Sequence, residues 1–166
     1  MLGRTLQNLR KLIREMISEY LDYASSSSAI GSHGPGAGIV VVRNFADGWK
    51  VLILKTGRGF DLPKGGSDPG EPYLETALRE TYEETGIYDI EFSWGTTFIP
   101  LDNLRFYLAR TEQDAIIRAN PETGEFEHIS AVWTDWDSAT ENIYPYLVPA
   151  ITWAKQKVEQ PTRIQL

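Results

Sequence analysis

Apolar positions follow two different periods along this chain. Between residues 2 and 21 they alternate at spacings of four and three: Leu2, Leu6, Leu9, Ile13, Met16 and Tyr20. That period lays an apolar stripe along one face of a helix, and Arg4, Arg10, Lys11, Arg14, Glu15 and Glu19 fall off it. The run is under three heptads, too short to assign a coiled coil. Such a stripe needs a cover, either its own domain or a dimer seam or partner surface. Four serines, Ser25–Ser28, then Gly31, Gly34, Pro35 and Gly36 read as a linker. The expected division is therefore 1–28, an amphipathic helix with a Ser-rich linker, and 29–166, the main domain.

From Gly38 the period becomes that of strands. Gly38–Arg43 and Trp49–Lys55 are β-branched runs flanking Asp47-Gly48, a hairpin signal. A glycine-rich loop, Thr56–Gly70, precedes a helix predicted over Pro72–Thr85, with proline at its start and Gly86 past its end. Further strands are expected at Ile90–Trp94, Leu104–Arg110 and Ser130–Asp135. Tyr146–Val158 reads as a closing helix with Pro149 in its first turn. Helices and strands mix without strict alternation, which favours an α+β fold with a mixed sheet.

Composition narrows the chemistry. The 166 residues contain no cysteine and two histidines, so thiolate chemistry is excluded and a multi-histidine metal site is disfavoured. The net charge of −7 argues against a general nucleic-acid binder, which needs a basic face. It leaves room for an anionic substrate if metal ions supply positive charge. Apolar runs are far shorter than a bilayer span, and residues 1–24 carry charges throughout with no secretory core. A cytoplasmic protein without membrane association is the expectation.

The informative segment is Gly65 to Ile87. At 100° per residue, Glu80, Glu83 and Glu84 share an arc of about 100°, while Leu74, Ala77, Leu78, Thr81 and Thr85 occupy the neighbouring arc. Glu80 and Glu84 repel as an i,i+4 pair, and they sit toward the helix end where the dipole disfavours anions. A solvated acidic face explains a lone Glu-x-x-Glu-Glu. A divalent cation explains it better in this setting, because carboxylate oxygens suit Mg²⁺ or Mn²⁺. The preceding glycines let backbone approach a metal or phosphate, and Arg79 has a bidentate partner available in Glu71.

The whole pattern is Gly65-x5-Glu71-x7-Arg79-Glu80-Thr81-x-Glu83-Glu84-x-Gly86-Ile87. Seven fixed identities give a chance match on the order of 10⁻⁷, which decides against coincidence. The spacing resembles the Nudix box, with one departure: Thr81 stands where an aliphatic residue is usual. The resemblance runs from about Gly38 to the closing helix. It implies a Nudix-type α/β/α sandwich with a mixed sheet, and metal-dependent hydrolysis of a nucleoside diphosphate linked to another moiety, using Mg²⁺ or Mn²⁺. It also implies that Glu80, Glu83, Glu84 and the backbone carbonyl of Lys64 bind metal. Glu71 and Arg79 become the structural pair, with Gly65 and Gly86 as the box glycines.

Within that family, Leu62-Pro63-Lys64-Gly65-Gly66 and Glu127-His128 ahead of Trp133 are similar to the diadenosine tetraphosphate hydrolases. This implies Glu127 as an additional catalytic, metal-contacting carboxylate, with Glu125 as its competitor, and His128 as a phosphate contact. Lys64 and Arg58 are candidates for outer phosphates. Tyr107, on the face of its strand opposite Phe106, is the candidate for stacking a base. Other Nudix substrates (ADP-ribose, nucleoside triphosphates, RNA 5′ ends) and a non-catalytic nucleotide-sensing role are the alternatives.

Overall fold

The computed structural model describes residues 34–160. The predicted helix over 2–21, the serine linker and the boundary at 28 lie outside these residues. Seven strands form one mixed sheet: β1 (Gly36–Phe45), β2 (Gly48–Lys55), β3 (Phe60–Asp61), β4 (Lys64–Gly66), β5 (Phe98–Leu101), β6 (Leu104–Arg110) and β7 (Ser130–Thr134). Three helices accompany it: α1 (Tyr73–Thr85), α2 (Trp136–Asn142) and α3 (Val148–Glu159), the last entered through a 3₁₀ turn, Pro145–Leu147. The strand order is β3-β2-β1-β6-β5, with β4 paired to β1 and β7 to β2. Among the described strands, β1 and β6 are the pair that runs parallel, with Gly36 opposite Leu104 and Val42 opposite Arg110.

Alternation in the central strands divides the core in two. Ile39 and Val41 of β1, Leu52 and Leu54 of β2, and Tyr107 and Ala109 of β6 meet Leu74 and Ala77 of α1, plus Ile87. Val40, Val42, Val51, Ile53, Phe106 and Leu108 point the other way, onto Trp136 and Ala139 of α2 and Ala150, Ile151 and Ala154 of α3. Both sheet faces are therefore covered by helices, a helix–sheet–helix sandwich. A fully buried Val, Leu, Ile or Phe contributes about 1.5–3 kcal/mol, so these two layers carry most of the fold's driving force.

Several expectations change. The hairpin turn is Ala46-Asp47, because Phe45 pairs with Gly48. Ile90–Trp94 is not a strand: only Glu91 bridges to Arg110. Ile90 and Phe92 do bury against the α1 side of the core, but β5 takes the β6 edge instead. The glycine loop contains β3 and β4, which were not expected. Neither were β5 and α2, the latter capped when the Asp135 side chain accepts a hydrogen bond from Ser138 N.

α1 is placed firmly. Pro72 is its extended N-cap residue, and Gly86 ends it in the left-handed region at φ 71°, donating its N–H to Tyr82 O. A side chain at that φ is strained, which is the reason for glycine here. Leu74, Ala77, Thr81 and Thr85 are buried against the sheet, and this fixes the opposite rotation of the acidic arc. Thr81, the departure from the box, is fully buried, and among the described residues its Oγ1 has no hydrogen-bond partner.

Candidate active site

The acidic arc of α1 faces β4 and the loop before β7. Arg79 organises its lower part. Its Nε and Nη2 meet the Glu71 carboxylate at 2.8 and 2.9 Å, a bidentate clamp, and Nη2 also donates to Gly66 O at 2.8 Å. Nη1 reaches Glu80 Oε1 at 2.8 Å and Glu83 Oε2 at 3.1 Å. Glu71 accepts as well from Thr76 Oγ1 at 2.6 Å and Asp68 N at 3.3 Å. Burial pushes the Glu71 carboxyl up, but Arg79, Thr76 and the Asp68 N–H outweigh it and hold it below the usual range. Arg79 thereby ties helix, loop and β4 together.

Glu84 lies one turn above Glu80, 9% exposed. Its Oε2 accepts from the backbone N–H of Lys64 at 3.1 Å. Burial, with the neighbouring Glu80 charge, pushes its carboxyl up to about 9 against the pull of that N–H. Glu80 is also raised, first by burial and then by the charges of Glu83 and Glu127, despite Arg79. The Glu80 carboxylate packs so tightly on Gly65 that a Cβ there would overlap it. This steric fact, rather than a turn, explains the box glycine.

Glu127 and His128, more than a third of the chain's described length away in sequence, arrive at the same cleft. Glu80, Glu83, Glu84, Glu127 and His128 line it together with Arg118, Asn120 and Pro121. Ligand-capable atoms of Glu84, Glu127 and His128 lie within 4.8 Å of one another. Opposite ligands of one oxygen-coordinated cation stand roughly 4–5 Å apart. The donor set, carboxylates with one imidazole, fits a divalent cation. Glu125 does not line the cleft; its carbonyl accepts from Asn120 N.

Beneath the cleft is a residue that sequence reasoning missed. Asp61, at the end of β3, is 8% exposed, with Lys64 Nζ at 2.7 Å and His128 Nε2 at 3.8 Å from its Oδ2. Burial would raise the Asp61 carboxyl, but His128 and Lys64 hold it below the usual range. Nothing in a single aspartate within a glycine loop announced this, because its histidine partner is distant in sequence. The Lys64 ammonium is thus engaged by Asp61, and the Tyr146 phenol stands beside it.

Arg58 is exposed at the tip of the turn closed by Thr56 N and Gly59 O. Tyr107 is a correction. It is fully buried beneath α1 with its ring edge-on to Phe98 at 5.8 Å, because β6 is covered on both faces, so it offers no surface to a base. Exposed aromatic surface near Lys64 comes instead from Tyr146, 52% exposed and stacked on Tyr144 at 6.3 Å between ring centres.

Comparison with known proteins identifies the family and the fold. The family model for the NUDIX domain matches residues 32–154. The rat asymmetrical bis(5′-nucleosyl)-tetraphosphatase is 37% identical over 106 residues, 55% of this chain and 68% of that protein. The solved structure of a C. elegans Ap4A hydrolase binary complex superposes with TM-score 0.60 at 23% identity, covering 76% of this chain and 98% of that one. The NUDIX domain of Shewanella oneidensis NrtR complexed with ADP ribose superposes at TM-score 0.55 and 17% identity, covering 83% and 97%. Among the described residues, no helix is long and apolar enough to cross a membrane.

Proposed function

The chain belongs to the Nudix family and is a pyrophosphohydrolase of that family, and from this premise we propose that it cleaves a dinucleoside polyphosphate. Diadenosine tetraphosphate is the first choice, cut asymmetrically to ATP and AMP. The observation that carries the reading is the meeting of Glu127 and His128 with the three box glutamates in one cleft. The likeness to the rat tetraphosphatase supports the substrate.

In this reading Glu80, Glu83, Glu84, Glu127 and the Lys64 carbonyl would hold Mg²⁺ or Mn²⁺. When bound, the ion would supply charge neutralisation and Lewis acidity at the phosphates. A carboxylate oxygen of Glu127 or of a box glutamate would take the proton from the attacking water. Arg79 does not touch substrate; it orients Glu80 and Glu83 while Glu71 fixes it in turn. His128, held by Asp61, and the cations Lys64 and Arg58 contact the flanking phosphates. The stacked Tyr144–Tyr146 pair replaces Tyr107 as the surface for a base.

The test is hydrolysis of a nucleotide panel with Mg²⁺ in ¹⁸O-labelled water, separated by chromatography. ATP and AMP, with label confined to one of them, are the expected products. Two ADP as sole products, or a kcat/KM at least about tenfold higher for ADP-ribose or triphosphorylated RNA, overturns the substrate. No turnover of any nucleotide points to the nucleotide-sensing alternative.

A further inference from the structure

Glu127 is exposed, and it shares the cleft with the carboxylates of Glu80, Glu83 and Glu84 as well as with Arg118, Asn120 and His128. Its charge already adds to the repulsion that raises the Glu80 carboxyl. An exposed glutamate beside like charges gains by swinging into water. A hydrogen bond from Asn120 opposes that swing.

Asn120 uses all four of its polar groups. Its backbone N–H donates to Glu125 O at 2.7 Å, and its carbonyl accepts from Gly124 N at 2.8 Å. Its Oδ1 accepts from Glu122 N at 2.8 Å and Thr123 N at 3.3 Å. These bonds close the tight loop over residues 120–125, with Gly124 at φ 73°. Two backbone donors on one side settle which end of the amide is oxygen. The nitrogen must then face the other way, and Nδ2 donates to Glu127 Oε1 at 2.7 Å. Loop closure accounts for three of the four groups. The fourth leaves the loop and ends on a carboxylate of the cleft, while Asn120 itself lines that cleft.

We propose that Asn120 is a positioning residue of this site: it builds the loop before Glu127 and spends its remaining donor aiming the Glu127 carboxylate at Glu84 and His128. The proposal rests on the reading of Glu127 as a metal-contacting residue. It needs no contact between Asn120 and substrate. Partners that orient a ligand from behind commonly govern metal affinity as strongly as the ligand does.

Asn120→Asp separates the two roles. Its carboxylate still accepts from Glu122 N and Thr123 N, so the loop survives, but an acceptor now faces Glu127 where a donor stood. In the full-length apoprotein, titrated with Mn²⁺ and read by electron paramagnetic resonance, Asn120→Asp should weaken Mn²⁺ binding about 10–100-fold, as should Glu127→Gln. The double variant should bind within about twofold of Glu127→Gln alone, because both changes remove one interaction. Wild-type affinity in Asn120→Asp beside a weakened Glu127→Gln overturns the role of Asn120 and leaves that of Glu127 standing. Wild-type affinity and kcat in Glu127→Gln overturn the reading beneath it. Should Asn120→Asp fail to fold, the contact is read in Glu127→Gln by NMR. The Asn120 side-chain amide resonances should shift there, and unchanged resonances overturn the proposal.

Discussion

Glu84→Gln should stabilise the metal-free protein, and by more as pH rises. Folding lifts the Glu84 carboxyl from its ordinary 4.5 to about 9. Between those values the unfolded chain releases a proton that the native protein keeps. Stability is therefore fully present below 4.5 and lost as pH rises through 9. At pH 7.5 three units of that interval have been crossed, a loss on the order of 4 kcal/mol at about 1.4 kcal/mol per unit. Glutamine keeps the acceptor that Lys64 N–H needs at 3.1 Å and carries no charge, so it escapes the loss. Urea unfolding in EDTA, followed by circular dichroism, should give coincident stabilities near pH 4.5. By pH 7.5 the variant should lead by about 2–4 kcal/mol. Mg²⁺ or Mn²⁺ should then stabilise the wild type far more than the variant, while kcat of the variant falls at least about 10²–10³-fold. Parallel stabilities across the pH range, or a less stable variant at pH 7.5, would refute the argument that burial drives this shift.

The other expectations follow from single contacts. Glu71→Gln breaks a bidentate pair in which the Glu71 side chain is 9% exposed; denaturation at pH 7 should show a loss of about 2–4 kcal/mol. Because the Glu71 carboxyl lies below its ordinary 4.5, its contribution is present above that value and fades as pH falls below it, so the gap to wild type should narrow in acid. Gly65→Ala forces a Cβ into the Glu80 carboxylate; the domain should still fold, and kcat should drop about 10²-fold. Thr81→Val and Tyr107→Phe each remove a buried hydroxyl that has no partner among the described residues; each should raise stability by about 1 kcal/mol in urea, with KM unchanged. Deleting residues 1–28 should leave a domain that unfolds cooperatively by circular dichroism, since the strands and helices described all lie downstream.

The local half of the site was legible because local rules govern it. Helical period alone places Glu80, Glu83 and Glu84 on one arc and Leu74 and Ala77 on the next, and the sheet then fixes the rotation. Glu71 and Arg79 were readable as a pair because only the N-cap Pro72 and about two helical turns separate them. The remainder depends on what lies across the sheet. Alternation on β6 distinguishes two faces but says nothing of whether each is covered; α1 covers the Tyr107 side, so a candidate stacking residue became core. Ile90–Trp94 shows the same ambiguity, since its apolar alternation buries side chains without a strand partner along its length. Asp61 and Asn120 act through distant or loop-closing contacts that composition does not encode. β3 and β4 are two and three residues long and exist only because β2 and β1 offer them partners.

The parallel pairing of β1 with β6 also sets the order in which the protein can come into being. Residues 36–42 meet 104–110 only after the glycine loop, α1 and the segment behind it have been laid down between them. Closing so long a loop is entropically costly and comes before the contacts that reward it. During synthesis the open edge of β1 must wait for Arg110 to emerge, while β2, β4 and α1 can already pack on the rest of the strand. A chain stopped short of that residue exposes the apolar edge of β1 and is a target for aggregation or proteolysis. Helix α1 therefore finds most of its floor in strands made before it, β1 and β2, and the Tyr107 side of that floor is completed only when β6 arrives.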